Sequence, residues 1–145
     1  MLKKIILSII LLQSFLLADF KNIKSSELET LIKKGIVVID IRTPAEWKET
    51  GVVPTSKKIM FFDEQGNYNI QKWMSAFTKV VTDKNQPFVL VCRSGSRTKV
   101  VGSFLANELG YTKVKDLGKG IMYDWKNIGK KVVFDKSQKP PMQIN

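Results

Sequence analysis

Short β-branched runs alternate with helical patterns along this chain, and the alternation predicts an α/β domain around a mostly parallel sheet. Ser26-Glu27-Leu28-Glu29 has the form of a capping box. Leu28, Leu31 and Ile32 give the helix behind it an apolar stripe, and Gly35 ends it. Ile36-Val37-Val38-Ile39 is a continuous apolar run, the pattern of a strand covered on both faces. Thr43-Pro44-Ala45-Glu46 is a second capping box, with proline at the first helical position, and its helix stops near Gly51. Lys58 to Phe62 reads as a short strand, and Ile70 to Val81 has helical spacing through Trp73, Met74, Phe77 and Val80. Phe88 to Val91 is the next strand, and Val100 to Leu109 an amphipathic helix closed by Gly110. Tyr111 to Leu117 supplies a last strand, and Ile121 to Ile128 a last helix. The expected architecture is about five strands flanked by helices on both faces, with the strands at Ile36–Ile39 and Phe88–Val91 interior. Trp47, Trp73 and Trp125 are expected in the core.

The first 18 residues stand apart from this pattern. Lys3 and Lys4 precede an apolar run from Ile5 to Leu12, and Gln13 to Ala18 leads into Asp19, the layout of a secretory signal peptide. The run is short for a stable membrane span of about 20 residues. The expected organisation is therefore a leader at 1–18, one domain at 19–134 and a loose tail at 135–145, with the mature protein periplasmic or secreted. An uncleaved N-terminal anchor is the alternative, because Leu16 is large for its place before the cut.

Export changes what the single cysteine means. Structural cysteines of oxidising compartments come in pairs, and Cys92 has no second thiol to pair with. The chain has no histidine, so the usual general base and the usual metal ligand are both missing. Neither a metal site nor a cofactor is expected. The net charge of +11 suits small anions, but the lysines are scattered and form no block of the kind that binds nucleic acid.

Cys92 follows the strand Phe88–Val91 and opens Cys92-Arg93-Ser94-Gly95-Ser96-Arg97-Thr98, which leads into a helix. Successive backbone N–H groups at a helix start form an anion site, and the same field favours the thiolate of a cysteine held within it. Arg93 and Arg97 act in the same direction. The polar loop argues against burial of the thiol in an apolar core, the usual fate of a lone cysteine. For the arginines the alternative is a solvated loop surface. Arg42 and Glu46, four apart across a helix start, read as a structural ion pair. Asp40, at the end of a buried strand, is placed to orient the active-site loop.

Ile39-Asp40-Ile41-Arg42-Thr43-Pro44-Ala45-Glu46-Trp47 and the Cys92 loop together resemble the rhodanese family of sulfurtransferases. The first segment is similar to that family's Asp-x-Arg with a following Glu-aromatic, and the second to its Cys-x-x-Gly-x-Arg loop. Leu117, Gly120, Trp125 and Gly129 fall near its C-terminal signature, so the likeness runs from about Phe20 to Val133. It departs at Gly51-Val52-Val53-Pro54-Thr55-Ser56, which lacks a histidine many relatives carry, and at Lys119, where a second glycine is usual.

The resemblance implies a thiosulfate sulfurtransferase in which Cys92 carries a persulfide. Its donor would be a small anion such as thiosulfate, and its acceptor a thiophile such as cyanide or a thiol. It places the donor against Arg93, Ser94, Gly95, Ser96, Arg97 and Thr98, with Asp40, Arg42 and Glu46 in support. Two rivals remain: a non-catalytic persulfide carrier or binding module, and a phosphatase of the same fold. The related phosphatases have one more residue between cysteine and arginine than the four between Cys92 and Arg97.

Overall fold

The computed structural model describes residues 19–135. The leader at 1–18 and the tail at 136–145 lie outside the described residues. Five parallel strands form one sheet: β1 (Asp19–Ile23), β2 (Val37–Asp40), β3 (Lys57–Lys58), β4 (Phe88–Val91) and β5 (Lys113–Leu117). Their spatial order is β1-β5-β4-β2-β3, so β2 and β4 are interior, as the unbroken apolar runs require. Four helices join them: α1 (Ser25–Lys33), α2 (Pro44–Thr50), α3 (Ile70–Phe77) and α4 (Ser96–Asn107). A π-helical turn, Ile121–Trp125, follows β5.

Side-chain alternation along the strands divides the core in two. Ile39, Phe88 and Leu90 face Trp73, Phe77, Val101 and Leu105, contributed by α3 and α4. Val38, Val89 and Val91 face Leu28 of α1 together with Ile121 and Trp125. A one-residue slip of β4 would exchange the two sets, so burial on both faces pins its register. Among the described residues no helix is long and apolar enough to cross a membrane.

Several elements differ from the sequence reading. β1 was not expected; its Asp-Phe-Lys-Asn-Ile composition carries only two apolar residues, and pairing with β5 creates it. α1 begins at Ser25 after Lys24, without a side-chain cap, so the Ser26/Glu29 capping box does not form. The Ser25 N–H instead donates to Asp124 Oδ2 at 2.9 Å, and Glu29 pairs with Lys130. A distant carboxylate thus does the work expected of a local serine. β3 is two residues long, although Ile59 and Phe61 continue the pattern by donating N–H bonds to Asp40 and Ile41 carbonyls.

α3 ends at Phe77 rather than Val81, where Thr78 turns its hydroxyl back to Met74 O and the β-branched Val80-Val81 pair leaves the helix. The last helix is only the π turn; the Lys126 N–H reaches back five residues to Ile121 O at 2.8 Å. Trp73 and Trp125 are buried, whereas Trp47 is half-buried with Lys58 Nζ over its ring. Asp135, the first residue of the expected loose tail, is ion-paired with Lys58 at 3.2 Å.

Candidate active site

β4 delivers Cys92 to the carboxyl edge of the sheet, and the next three residues turn tightly into α4. Two glycines make that turn possible. Gly95 has φ +88°, and a Cβ there would lie 2.0 Å from Gly118 O. Gly120 has φ +69°, and its Cβ would lie 2.3 Å from Arg93 O. Backbone thus packs on backbone, with the Cys92 and Arg93 carbonyls accepting N–H bonds from Ile121 and Met122. Only residues without a side chain fit at both positions. Lys119, between Gly118 and Gly120, is exposed and does not enter this contact.

The thiol sits inside the turn. Gly95 N–H donates to Cys92 Sγ at 3.2 Å, and Thr98 Oγ1 lies 3.6 Å from the sulfur. The N-cap of α4 is Gly95, which has no side chain to cap the first-turn N–H groups. Cys92 has no solvent exposure, which corrects the expectation that the polar loop keeps it out of the core. It terminates a strand whose four residues are all buried, and the loop's polarity belongs to its outer side: Arg93, Ser94 and Ser96 are exposed while Gly95 and Thr98 are buried. Ser94 and Ser96 hydroxyls pair with each other at 3.2 Å. Among the described residues the Arg93 side chain has no hydrogen bond or ion pair. It is the loop's free cation.

Arg97 is not free. Its Nη1 and Nη2 donate to Glu46 Oε2 and Oε1 at 2.8 and 2.6 Å, a bidentate link from α4 to α2. Glu46 also accepts from the Thr43 N–H and hydroxyl, completing the capping box on α2. Desolvation pushes the Glu46 carboxyl up, but the hydrogen bonds from Arg97 and Thr43 and the charges of Arg97 and Arg42 outweigh it and hold the group at about 2. The hydrogen bond to Glu46 in turn raises Arg97 above its usual value.

The expected Arg42–Glu46 pair does not form. Arg42 is buried and grips Asp40, with Nη2 at 2.8 Å from Oδ2 and Nε bonded to both carboxylate oxygens. Its remaining donors go to Thr50 Oγ1 and Gly51 O, both at 2.7 Å, and Trp47 Nε1 donates to Asp40 Oδ1. The alternation of β2 and the return of α2 place Arg42 under the helix rather than along it. Asp40 therefore orients α2 through Arg42 and Trp47, and not the cysteine loop directly.

One residue beside the thiol was not singled out from the sequence. Asp116, in β5, is buried and accepts from Thr98 Oγ1 at 2.8 Å. Its signal was there to read, because it shares the inward phase of Val114 in the strand pattern, where an acid is out of place. A separate hollow of about 370 Å³ lies over Ile59, Phe61, Tyr68 and Trp73, and no residue of the cysteine loop lines it.

The comparisons agree with this geometry. The Rhodanese-like domain model matches residues 24–127. An uncharacterized protein of Rickettsia prowazekii is 27% identical over 93 residues, covering 62% of this chain and 72% of its own. A rhodanese-related protein from Thermoplasma volcanium superposes with a TM-score of 0.59 at 23% identity, over 79% of this chain and 99% of that one. The polysulfide-sulfur transferase homodimer of Wolinella succinogenes gives 0.61 at 22% identity, over 83% of each chain. At these identities the structures speak for the fold, while the family match spans most of the chain. With its five parallel strands, its cysteine loop and that match, the chain belongs to the rhodanese-like domain family.

Proposed function

We propose that the protein is a sulfurtransferase that moves a sulfane sulfur from an anionic donor such as thiosulfate to a thiophilic acceptor, through a persulfide on Cys92. The observation that carries this reading is the Gly95 N–H bond to Sγ inside a loop that Arg97 closes after four residues. An N–H aimed at sulfur stabilises a charge that develops there, and it is in place before the reaction.

In the first step the Cys92 thiolate attacks the outer sulfur of thiosulfate. The sulfur–sulfur bond of the donor breaks, sulfite leaves with the electron pair, and the outer sulfur stays as Cys–S–S⁻. An acceptor such as cyanide or a thiolate then attacks that sulfur, and Cys92 leaves as thiolate. Electrons and atoms balance without a cofactor. Arg93, exposed and without a side-chain partner among the described residues, would meet the donor and the departing sulfite. Arg97 braces the loop, because Glu46 occupies both of its outer nitrogens. That engagement and the short loop speak against a phosphatase, which needs an arginine open to a tetrahedral anion.

The test is incubation with thiosulfate, intact-protein mass spectrometry, and then cyanide. One added sulfur on Cys92, lost on cyanide addition as thiocyanate appears, is expected, and Cys92→Ser abolishes both signals. Sulfur uptake without turnover across several acceptors favours the carrier reading. Aryl phosphate hydrolysis without uptake favours the phosphatase. We also propose export with cleavage after Ala18, because Lys3 and Lys4, the apolar run Ile5–Leu12 and the step from Ala18 to Asp19 have the layout of a signal peptide. N-terminal sequencing of exported protein should then start at Asp19, and a chain still carrying Met1 overturns the proposal.

A further inference from the structure

A protein without histidine needs another place for the proton of its reactive thiol, and two buried side chains linked to the sulfur provide one. Cys92 Sγ, Thr98 Oγ1 and Asp116 Oδ2 form a chain with steps of 3.6 and 2.8 Å. All three residues are sealed from solvent, and Asp116 Oδ1 has no hydrogen-bond partner among the described residues. The Thr98 hydroxyl has one hydrogen and three neighbours that can accept it: Asp116 Oδ2, Gly95 O at 3.1 Å, and the sulfur. An ionised Asp116 takes that hydrogen and leaves the oxygen's lone pairs towards Sγ. A neutral Asp116 donates its own proton to Thr98, and the hydroxyl hydrogen is released to point at the sulfur.

We propose that Asp116 is a positioning residue for the sulfur chemistry: it shares one proton with Cys92 through the Thr98 hydroxyl, so that charge on the sulfur leaves Asp116 a neutral acid that turns the hydroxyl hydrogen onto Sγ. The step balances within the chain. Sγ–H passes its proton to Thr98 Oγ1, Thr98 passes its own to Asp116 Oδ2, and thiol plus carboxylate becomes thiolate plus acid with nothing exchanged with water. The inference rests on the sulfurtransferase reading for its purpose, but the shared proton exists with or without sulfur transfer.

The surroundings suit a neutral acid. Burial pushes the Asp116 carboxyl up, against smaller opposing effects of the Thr98 hydrogen bond and the Lys99 charge. Opposite Asp116 in the sheet stand Asn22 of β1 and Leu90 of β4, which carry no charge. From α4 come Thr98 and the exposed Lys99, and Arg97 of the same helix is neutralised by Glu46. The carboxyl whose unsatisfied oxygen costs most when ionised is thus the one that a charged sulfur keeps protonated.

The experiment reads the carbonyl stretch of a protonated carboxyl group by difference infrared spectroscopy across pH. Asp116→Asn identifies the band by removing it. In unloaded protein, Cys92→Ala should lower the pH at which the band disappears, because the like charge that held the proton on Asp116 is gone. Thr98→Val should decouple the two groups, while Thr98→Ser should keep the wild-type profile. An unchanged profile in Cys92→Ala overturns the proposal, whatever the sulfur chemistry does. After thiosulfate the band should persist to higher pH in protein that mass spectrometry shows to be loaded, and its loss on loading also overturns the proposal. Failure to load at all would count against the sulfurtransferase reading and leave the unloaded titration to decide this one.

The kinetics of loading give a further readout. Thr98→Val should slow sulfur uptake by about 10²-fold, the low end for a placed proton-transfer group, and Thr98→Ser should restore it. Asp116→Asn still donates an N–H to Thr98 but cannot take the thiol's proton. Its uptake should approach wild type at high pH and fall away more steeply as pH drops; a profile parallel to wild type contradicts the shared proton.

Discussion

Arg97 on α4 holds both carboxylate oxygens of Glu46 on α2, so the loop that carries Cys92 is tied to the helix that follows β2. The pair joins residues 51 positions apart, and both side chains are mostly covered. A bidentate arginine–carboxylate link fixes orientation as well as distance. Two features of the sequence, one acidic and one basic, thereby become one structural device.

That link makes stability depend on acid. Glu46 is held at about 2, below its ordinary value of 4.5. A folded-state carboxyl lowered in this way contributes stability that is fully present above the unfolded value and lost as pH falls through the folded one. Wild type should therefore exceed Glu46→Gln in denaturant midpoint at pH 7. The gap should narrow below about pH 4.5 and close near pH 2. A constant difference over that window would show that Glu46 stabilises by packing and not by charge.

Arg42 should matter to the fold and not to the thiol. Removing one partner of a buried ion pair leaves the other charge unpaired, at a cost of about 3–5 kcal/mol. Arg42→Met and Asp40→Asn should each lower stability by roughly that amount in urea unfolding. Protein that remains folded should still take up sulfur on Cys92.

Gly95→Ala tests the turn itself. Positive φ and a Cβ 2.0 Å from Gly118 O leave no room for a side chain, so the loop must shift away from the strand end after β5. Destabilisation should exceed in size the ~1 kcal/mol by which a glycine replacement stabilises where the backbone is compatible. Sulfur uptake should fall even under conditions where circular dichroism shows the protein folded, because the N–H on Sγ moves with the loop.

Arg93→Ala separates donor binding from folding. Its side chain is exposed and unpaired among the described residues, so the melting temperature should change little. Uptake from thiosulfate should drop by about tenfold or more, the worth of one charge-assisted hydrogen bond of roughly 1.5–3 kcal/mol. An uncharged sulfur donor should be affected less; equal losses for both donors would place Arg93 outside donor recognition.

Local signals carried much of this molecule. The apolar runs at Val37–Ile39 and Phe88–Val91 marked interior strands, and the Thr43/Glu46 capping box and its proline set the start of α2. The spacing of Cys92, Gly95 and Arg97 marked the loop. These depend on neighbours within a turn or a strand, where periodicity and backbone preference act directly. Partners far apart in the chain were decided by tertiary structure. β1 exists because β5 offers it a ladder, α1 takes its cap from Asp124, and Arg42 chose Asp40 while Glu46 went to Arg97. Burial of Cys92 and the approach of Asp116 through Thr98 belong to the same class. A sequence states which groups need a partner; only the packing of helices on the sheet decides which one comes within hydrogen-bond reach.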